Sequence, residues 1–123
     1  MAAHTHLPIY KSTYELLRVA AEITRGMPRD YKLSLGAQIK TECVELVVDV
    51  YRAAAARDKR QLIGALLERL EVVQLLLQLS ADLRLISLGH HARTLPLTDA
   101  IGRQAGGWRK AQLRTTEQRT PGA

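Results

Sequence analysis

The sequence predicts an all-α protein, folded as an up-down-up-down antiparallel four-helix bundle. Three observations predict it. Apolar residues recur at spacings of three and four along most of the chain, the period of a helix that buries one face. The apolar mass is Leu, Val, Ile and Ala, with no Phe and only 4% aromatic residues, which favours helices packed on helices. No stretch carries the alternation of a half-buried strand. At 123 residues the chain is long enough for one such domain with a real core. Four amphipathic helices joined by short connections then pack antiparallel.

The first helix is expected from Pro8 to Arg25, with Ile9, Leu16, Leu17, Ala20, Ile23 and Met27 as its stripe. Pro8 suits a first turn, where its missing N–H is no loss. Gly26 stands where a left-handed residue would close the helix, and Pro28 follows. The second helix is expected from Asp30, as N-cap, to Ala56. Its buried face reads Leu33, Ala37, Ile39, Cys43, Val44, Val47, Val48, Tyr51 and Ala54. The third starts near Asp58, with Gln61 at the capping-box position. It carries Leu62, Ile63, Leu66, Leu67, Leu70, Val73, Leu76, Leu77 and Leu83. Between Val72 and Leu79 it is apolar nearly all round, which predicts burial on more than one side.

The fourth helix contains a conflict. Ser87 can cap a helix beginning at Leu88, but Pro96 then lies inside it, where proline removes a hydrogen bond and bends the axis. The expected form is a kinked helix from Leu88 to about Leu113, with Ala92, Leu95, Ile101, Ala105 and Trp108 as its stripe. The alternative is a loop up to Pro96 followed by a short final helix. The resulting organisation is a flexible tail over 1–7, the bundle over 8–113 and a disordered tail over 114–123.

Several classes of chemistry find no support. Cys43 is the only cysteine, so there is neither an intramolecular disulfide nor a cysteine pair for zinc. It lies on an apolar stripe and reads as a small core residue. His90 and His91 are adjacent and point about 100° apart on a helix, so they cannot face one ion. Glu42, Glu45 and Asp49 lack the Glu-x-x-His of di-iron bundles and read as a solvated acidic face. The string "GRQAGG" follows no strand and precedes no Lys-Ser/Thr, so it is not a phosphate loop. The expectation is a non-enzyme with no metal and no cofactor. "MAAHTHLPIY" has no apolar signal core and no apolar run reaches about 18 residues, which points to the cytoplasm.

Charge speaks to partners. The net charge is +6, unevenly placed. From Met1 to Leu83 there are 11 Lys/Arg against 10 Asp/Glu, and from Arg84 to Ala123 there are 7 against 2. In an antiparallel bundle one end collects Arg25, Arg29, Lys32, Arg84 and Arg93. The other collects Lys11, Arg52, Arg57, Lys59, Arg60, Arg109, Lys110 and Arg114. Lys and Arg at helix C-termini also complement the dipole, which accounts for Arg52 and Arg109 without any partner. Lys59 and Arg60 fall at a helix N-terminus, where positive charge is unfavourable, and this favours a binding role for them.

The string "IGRQAGGWRKA" holds Gly102, Gly106 and Gly107 beside Trp108, the only tryptophan. Glycine inside a helix costs about 0.5–1 kcal/mol relative to alanine. Gly102 and Gly106 share a helix face and would let another helix approach closely. Trp108 reads either as core at the bundle end or as an interface anchor.

The order and spacing of "MPRDYKLSLGAQI", "LLQLSADLRLIS" and "IGRQAGGWRK" resemble one family, from about Tyr10 through Lys110. That family is the accessory variability determinant (Avd) proteins of diversity-generating retroelements. The chain is also similar to related bundle proteins encoded in ribosomal-RNA intervening sequences. The I-G-R-x-x-G-G-W string is the most specific element, and Pro28-Arg29 is the second. The chain departs from the pattern at Pro96 and at Gly89-His90-His91. The resemblance implies a ring-shaped homopentamer that binds the retroelement's reverse transcriptase, template RNA and cDNA through basic surfaces. Nothing in the sequence reads bases, so little sequence preference is expected, and bases at the bundle ends rather than along one amphipathic face do not suit a membrane. It carries over Pro28, Arg29, Gly102, Arg103, Gly106, Gly107 and Trp108 as motif positions. Joined with bundle geometry, it makes Arg25, Arg29, Lys32, Arg57, Lys59, Arg60, Arg103, Arg109, Lys110 and Arg114 candidate contacts to nucleic acid or polymerase. Gly102, Gly106, Gly107 and Trp108 become candidates for helix or subunit packing. The other reading is a homo-oligomeric structural bundle without nucleic-acid function.

Overall fold

The computed structural model describes residues 4–119. The expected tails reach into 1–3 and 120–123, which lie outside the described residues. Four main helices build the fold, with no strand among the described residues. They are α1 (Pro8–Thr24), α2 (Ala37–Ala55), α3 (Arg60–Asp82) and α4 (Leu88–Arg119). A short α-helical turn, Arg29–Tyr31, and a π-helical segment, Lys32–Gly36, lead into α2. Each helix packs on two others: α1 on α2 and α4, and α3 on α2 and α4. This is the antiparallel four-helix bundle.

The core is aliphatic. Leu16, Ile39, Leu46, Val50, Ile63, Leu66, Val73, Leu77 and Ile101 are fully or almost fully buried and belong to one cluster. Thr13, Thr24, Ser80, Thr94 and Thr98 are also buried. Each hydroxyl donates to a carbonyl of its own helix, as from Thr24 to Ala20 at 2.8 Å and from Thr94 to His91 at 2.7 Å. The hydroxyls are therefore satisfied without a partner helix, and the methyl or methylene is free to pack.

α1 starts at Pro8 as the sequence predicts, but it does not close on a left-handed Gly26, because no described glycine has a positive φ. The amides of Arg25 and Met27 instead donate to the carbonyls of Glu22 and Thr24, at 3.3 and 3.1 Å, and tighten the last turn. The left-handed residue is Arg84, at φ 60°. There the Leu85 amide donates to Ser80 (2.8 Å) and the Arg84 amide to Ala81 (3.0 Å), the paired bonds of a Schellman closure at the end of α3.

Asp30 is not the N-cap of the second helix. Pro28 takes that place and Asp30 falls in the first turn, where its charge still suits the dipole. The π segment lies against the end of α1, and its Gly36 makes this possible. A Cβ there would come within 3.2 Å of the Met27 sulfur.

The buried stripe of α2 is Ile39, Cys43, Leu46, Asp49, Val50 and Ala53. The expected Leu33 and Val44 are exposed, at 68% and 44%. The helix carries more apolar residues than one stripe can bury, and the set spaced from Ile39 prevails. Leu83, expected in the α3 stripe, is likewise exposed. The expected burial of α3 on more than one side does not hold either. Val72, Leu75 and Leu79 face solvent, Leu75 at 66% exposure.

α4 is one helix through Pro96, so the looped alternative is excluded. The Ser87 hydroxyl accepts the His90 amide at 2.9 Å and caps the helix. Pro96 and Ala92 are both exposed, so the proline ring and the carbonyl it leaves unpaired can face water. The helix runs on through Arg119, into the stretch read as a tail.

Candidate nucleic-acid interface

The helix directions bring the start of α1, the end of α2, the start of α3 and the last turns of α4 to one end of the bundle. The Gln104 side chain reaches the Ser12 hydroxyl at 3.2 Å and ties α4 to α1 there. The His4 ring packs edge-on against Tyr51, with centroids 5.5 Å apart, and holds the entering chain beside the end of α2.

At this end the candidate bases divide into two kinds. Lys59 is committed within the fold. Its ammonium donates to the carbonyls of Ala53, Ala54 and Ala56, at 2.9, 3.3 and 2.6 Å. It lies 5.8 Å from the centre of the Trp108 ring. It therefore caps the C-terminus of α2, the arrangement the helix dipole favours. Arg60 is paired with Asp58 at 2.7 Å, and Asp58 also accepts the Arg60 amide at 3.1 Å. Asp58 thus answers the positive charge at the start of α3, and the Arg60 pair holds the Asp58 carboxyl down at a pKa of about 2. The unfavourable placement of Lys59 and Arg60 is resolved locally, so it no longer argues for a ligand.

Lys11, Arg52, Arg57, Arg109, Lys110 and Arg114 are exposed, and none pairs with a described acid. The Arg109 guanidinium leans over α3 at Gly64, where a Cβ would lie 4.0 Å from it. This leaves a basic crown with few acids to neutralise it.

At the opposite end Arg25, Arg29 and Arg84 are exposed and Lys32 is half-buried. Arg93 bridges to Glu22 of α1 at 2.9 Å. Arg103 belongs to neither end. It sits on the outer face of α4, paired with Asp99 at 2.9 Å.

The motif glycines also divide. Gly102 faces Leu70 of α3, whose Cδ2 is 3.6 Å from where a Cβ would be, an ordinary contact distance. A Cβ at Gly106 or Gly107 would meet nothing within 4 Å. Trp108 is half-buried and packs on the core.

Two features escaped the sequence reading. Glu42 and Asp49 are not solvated acids. Arg69 of α3 reaches both, at 3.1 and 2.6 Å, and clamps α3 to α2. Tyr10 and Tyr14 stack on α1, a pair visible as an i, i+4 spacing.

Among the described residues no three His, Cys, Asp or Glu side chains gather as a metal site. Burial pushes the Cys43 thiol up to about 12, which leaves almost no thiolate at neutral pH. No described helix is long and apolar enough to cross a membrane.

The family model described as bAvd-like matches residues 7–112. The chain belongs to the bAvd-like family. The match covers all of α1, α2 and α3 and most of α4, including the glycine–tryptophan string and every residue of the basic crown except Arg114. No curated protein matches the chain. Membership in the bAvd-like family suggests an accessory role in a diversity-generating retroelement.

Proposed function

We propose that this bAvd-like protein is the accessory subunit of a diversity-generating retroelement. It binds the reverse transcriptase together with template RNA and cDNA and supports mutagenic cDNA synthesis in the cytoplasm. The observation that carries the reading is the crown of Lys11, Arg52, Arg57, Arg109, Lys110 and Arg114, exposed at one bundle end without a described acidic partner. Such bases attract polyanions by releasing condensed counterions, and they carry no sequence information.

Self-association, as a homopentamer, belongs to the same proposal. Val72, Leu75 and Leu79 on α3, Leu83 just after it, and Leu88 and Leu95 on α4 leave large aliphatic side chains in water, a surface that usually marks association. The open glycines Gly106 and Gly107 would let a neighbouring backbone approach α4.

The test is co-purification of the retroelement's polymerase with the full chain, reading bound nucleic acid and oligomer mass by light scattering. A pentamer that retains polymerase and RNA is the expected result. In parallel, the Arg109→Glu, Lys110→Glu double variant should keep its helicity. Its plot of log affinity against log salt should flatten by about 1.5, the value for two lost phosphate contacts. A stable oligomer that captures neither polymerase nor nucleic acid would establish the structural bundle instead.

A further inference from the structure

The basic crown explains attraction to phosphate but cannot tell a single strand from a duplex. A feature beside it can. Tyr14 lies on the outer face of α1 and is 55% exposed. Tyr10, one turn earlier, stacks on it, with ring centres 6.3 Å apart and planes 21° from parallel. Tyr10 is itself half-buried and packed against the core cluster. The pair is therefore a fixed aromatic step with one ring open to solvent. From the geometry we infer that Tyr14, backed by Tyr10, is a stacking platform for an unpaired base of single-stranded RNA or DNA.

The surroundings suit that ligand. Lys11 is exposed on the same turn of α1. Tyr14 sits roughly 9 Å along α1 from its first residue, so a strand held at the crown reaches it within a few nucleotides. The nearest acids on α1 are already neutralised. Glu15 pairs with Arg18 at 2.6 Å, and Glu22 pairs with Arg93 at 2.9 Å. Every base has a π face, so stacking adds affinity without sequence preference. A duplex keeps its bases stacked internally and cannot use the ring.

This inference rests on the proposed nucleic-acid role, and one experiment separates the two. The full chain is titrated against a fluorescently labelled 20-nucleotide oligothymidylate, a 20-nucleotide oligouridylate and a 20-base-pair DNA duplex at one salt concentration. Tyr14→Ala should weaken both single strands at least fivefold, the low end for losing one stacked base, and change duplex binding less than twofold. Tyr14→Phe should keep single-strand affinity, whereas Tyr14→Leu, apolar but without a π face, should not. Circular dichroism on each variant checks that the bundle is intact. Equal losses on single strand and duplex, no loss with Tyr14→Ala, or full binding by Tyr14→Leu would each overturn the platform and leave the crown standing. If the unaltered chain binds none of the three probes, the platform falls together with the nucleic-acid role.

Discussion

The Lys59 ammonium joins three elements at once. It donates to three carbonyls at the end of α2, it stands at the N-cap of α3, and it lies 5.8 Å from the ring centre of Trp108 in α4. The Lys59 amide also donates to the Gln112 side chain at 3.2 Å. A residue that looks in sequence like part of a polyanion site is thus the closure of the bundle end.

This predicts a split between two neighbouring kinds of base. Lys59→Met keeps the stem and removes the charge. It should destabilise the fold by about 2 kcal/mol, through lost charge-assisted hydrogen bonds and the lost cation–π contact. Arg109→Glu with Lys110→Glu should leave stability within about 0.5 kcal/mol while weakening nucleic-acid binding. Urea unfolding beside a binding titration checks both. A Lys59→Met protein of unaltered stability would show that the capping bonds contribute nothing net.

Arg84 predicts a gain. It holds the left-handed position of the Schellman closure at φ 60°, a conformation that disfavours any residue with a Cβ. Glycine adopts it freely. Arg84→Gly should therefore stabilise the isolated chain by up to about 1 kcal/mol, less whatever is returned to the extra entropy of the unfolded chain. Chemical denaturation with unchanged m-value measures it. A loss of stability would mean that the Arg84 side chain makes contacts worth more than the backbone strain.

Asp58 predicts an acid limb. Its carboxyl is held down from 3.8 to about 2, first by the side-chain hydrogen bond from Arg60 and then by the Arg60 amide. A depressed folded pKa gives stability that is present above the unfolded value and lost as pH falls through the folded one. The window is therefore about pH 4 to 2. Over it, Asp58→Asn should lose stability less steeply than the unaltered protein. Thermal melts at half-unit steps of pH would show the difference in slope. Parallel slopes would mean that the pair does not persist in solution.

The fold was legible wherever one local signal decided the outcome. Pro8 opens α1, Ser87 caps α4, and the stripe from Ile63 to Leu77 points inward. It was less legible where two signals competed. α2 offers adjacent apolar pairs such as Cys43 and Val44, and only packing chooses Cys43 for the core. Gly26 and Arg84 show the same competition at helix ends. Glycine is the better left-handed residue, yet the hydrogen-bond pattern at Ser80 and Ala81 places Arg84 there. At the candidate site the exposed bases could be found from antiparallel topology alone. The commitments of Lys59 and Arg69 could not, because their partners are 20 or more residues away or depend on where the neighbouring helix stops. A lysine three residues beyond the Ala53–Ala56 run was the one local hint of a C-cap.

Gly106 and Gly107 give the last prediction, because the chain itself offers no reason for them. Both lie in the middle of α4, and a Cβ at either would touch nothing. In an isolated subunit, Gly106→Ala should raise helix stability by about 0.5–1 kcal/mol, and Gly107→Ala by a similar amount. Gly102→Ala meets Leu70 at ordinary contact distance and should also be tolerated. If α4 is an assembly face, the first two substitutions should oppose assembly while stabilising the subunit, since an added methyl keeps a neighbouring backbone away. Sedimentation of Gly106→Ala should then show a shift toward smaller species, together with a higher melting temperature for the dissociated chain. An unchanged assembly with a more stable subunit would move the interface off this face of α4 and leave the exposed leucines of α3 as its remaining site.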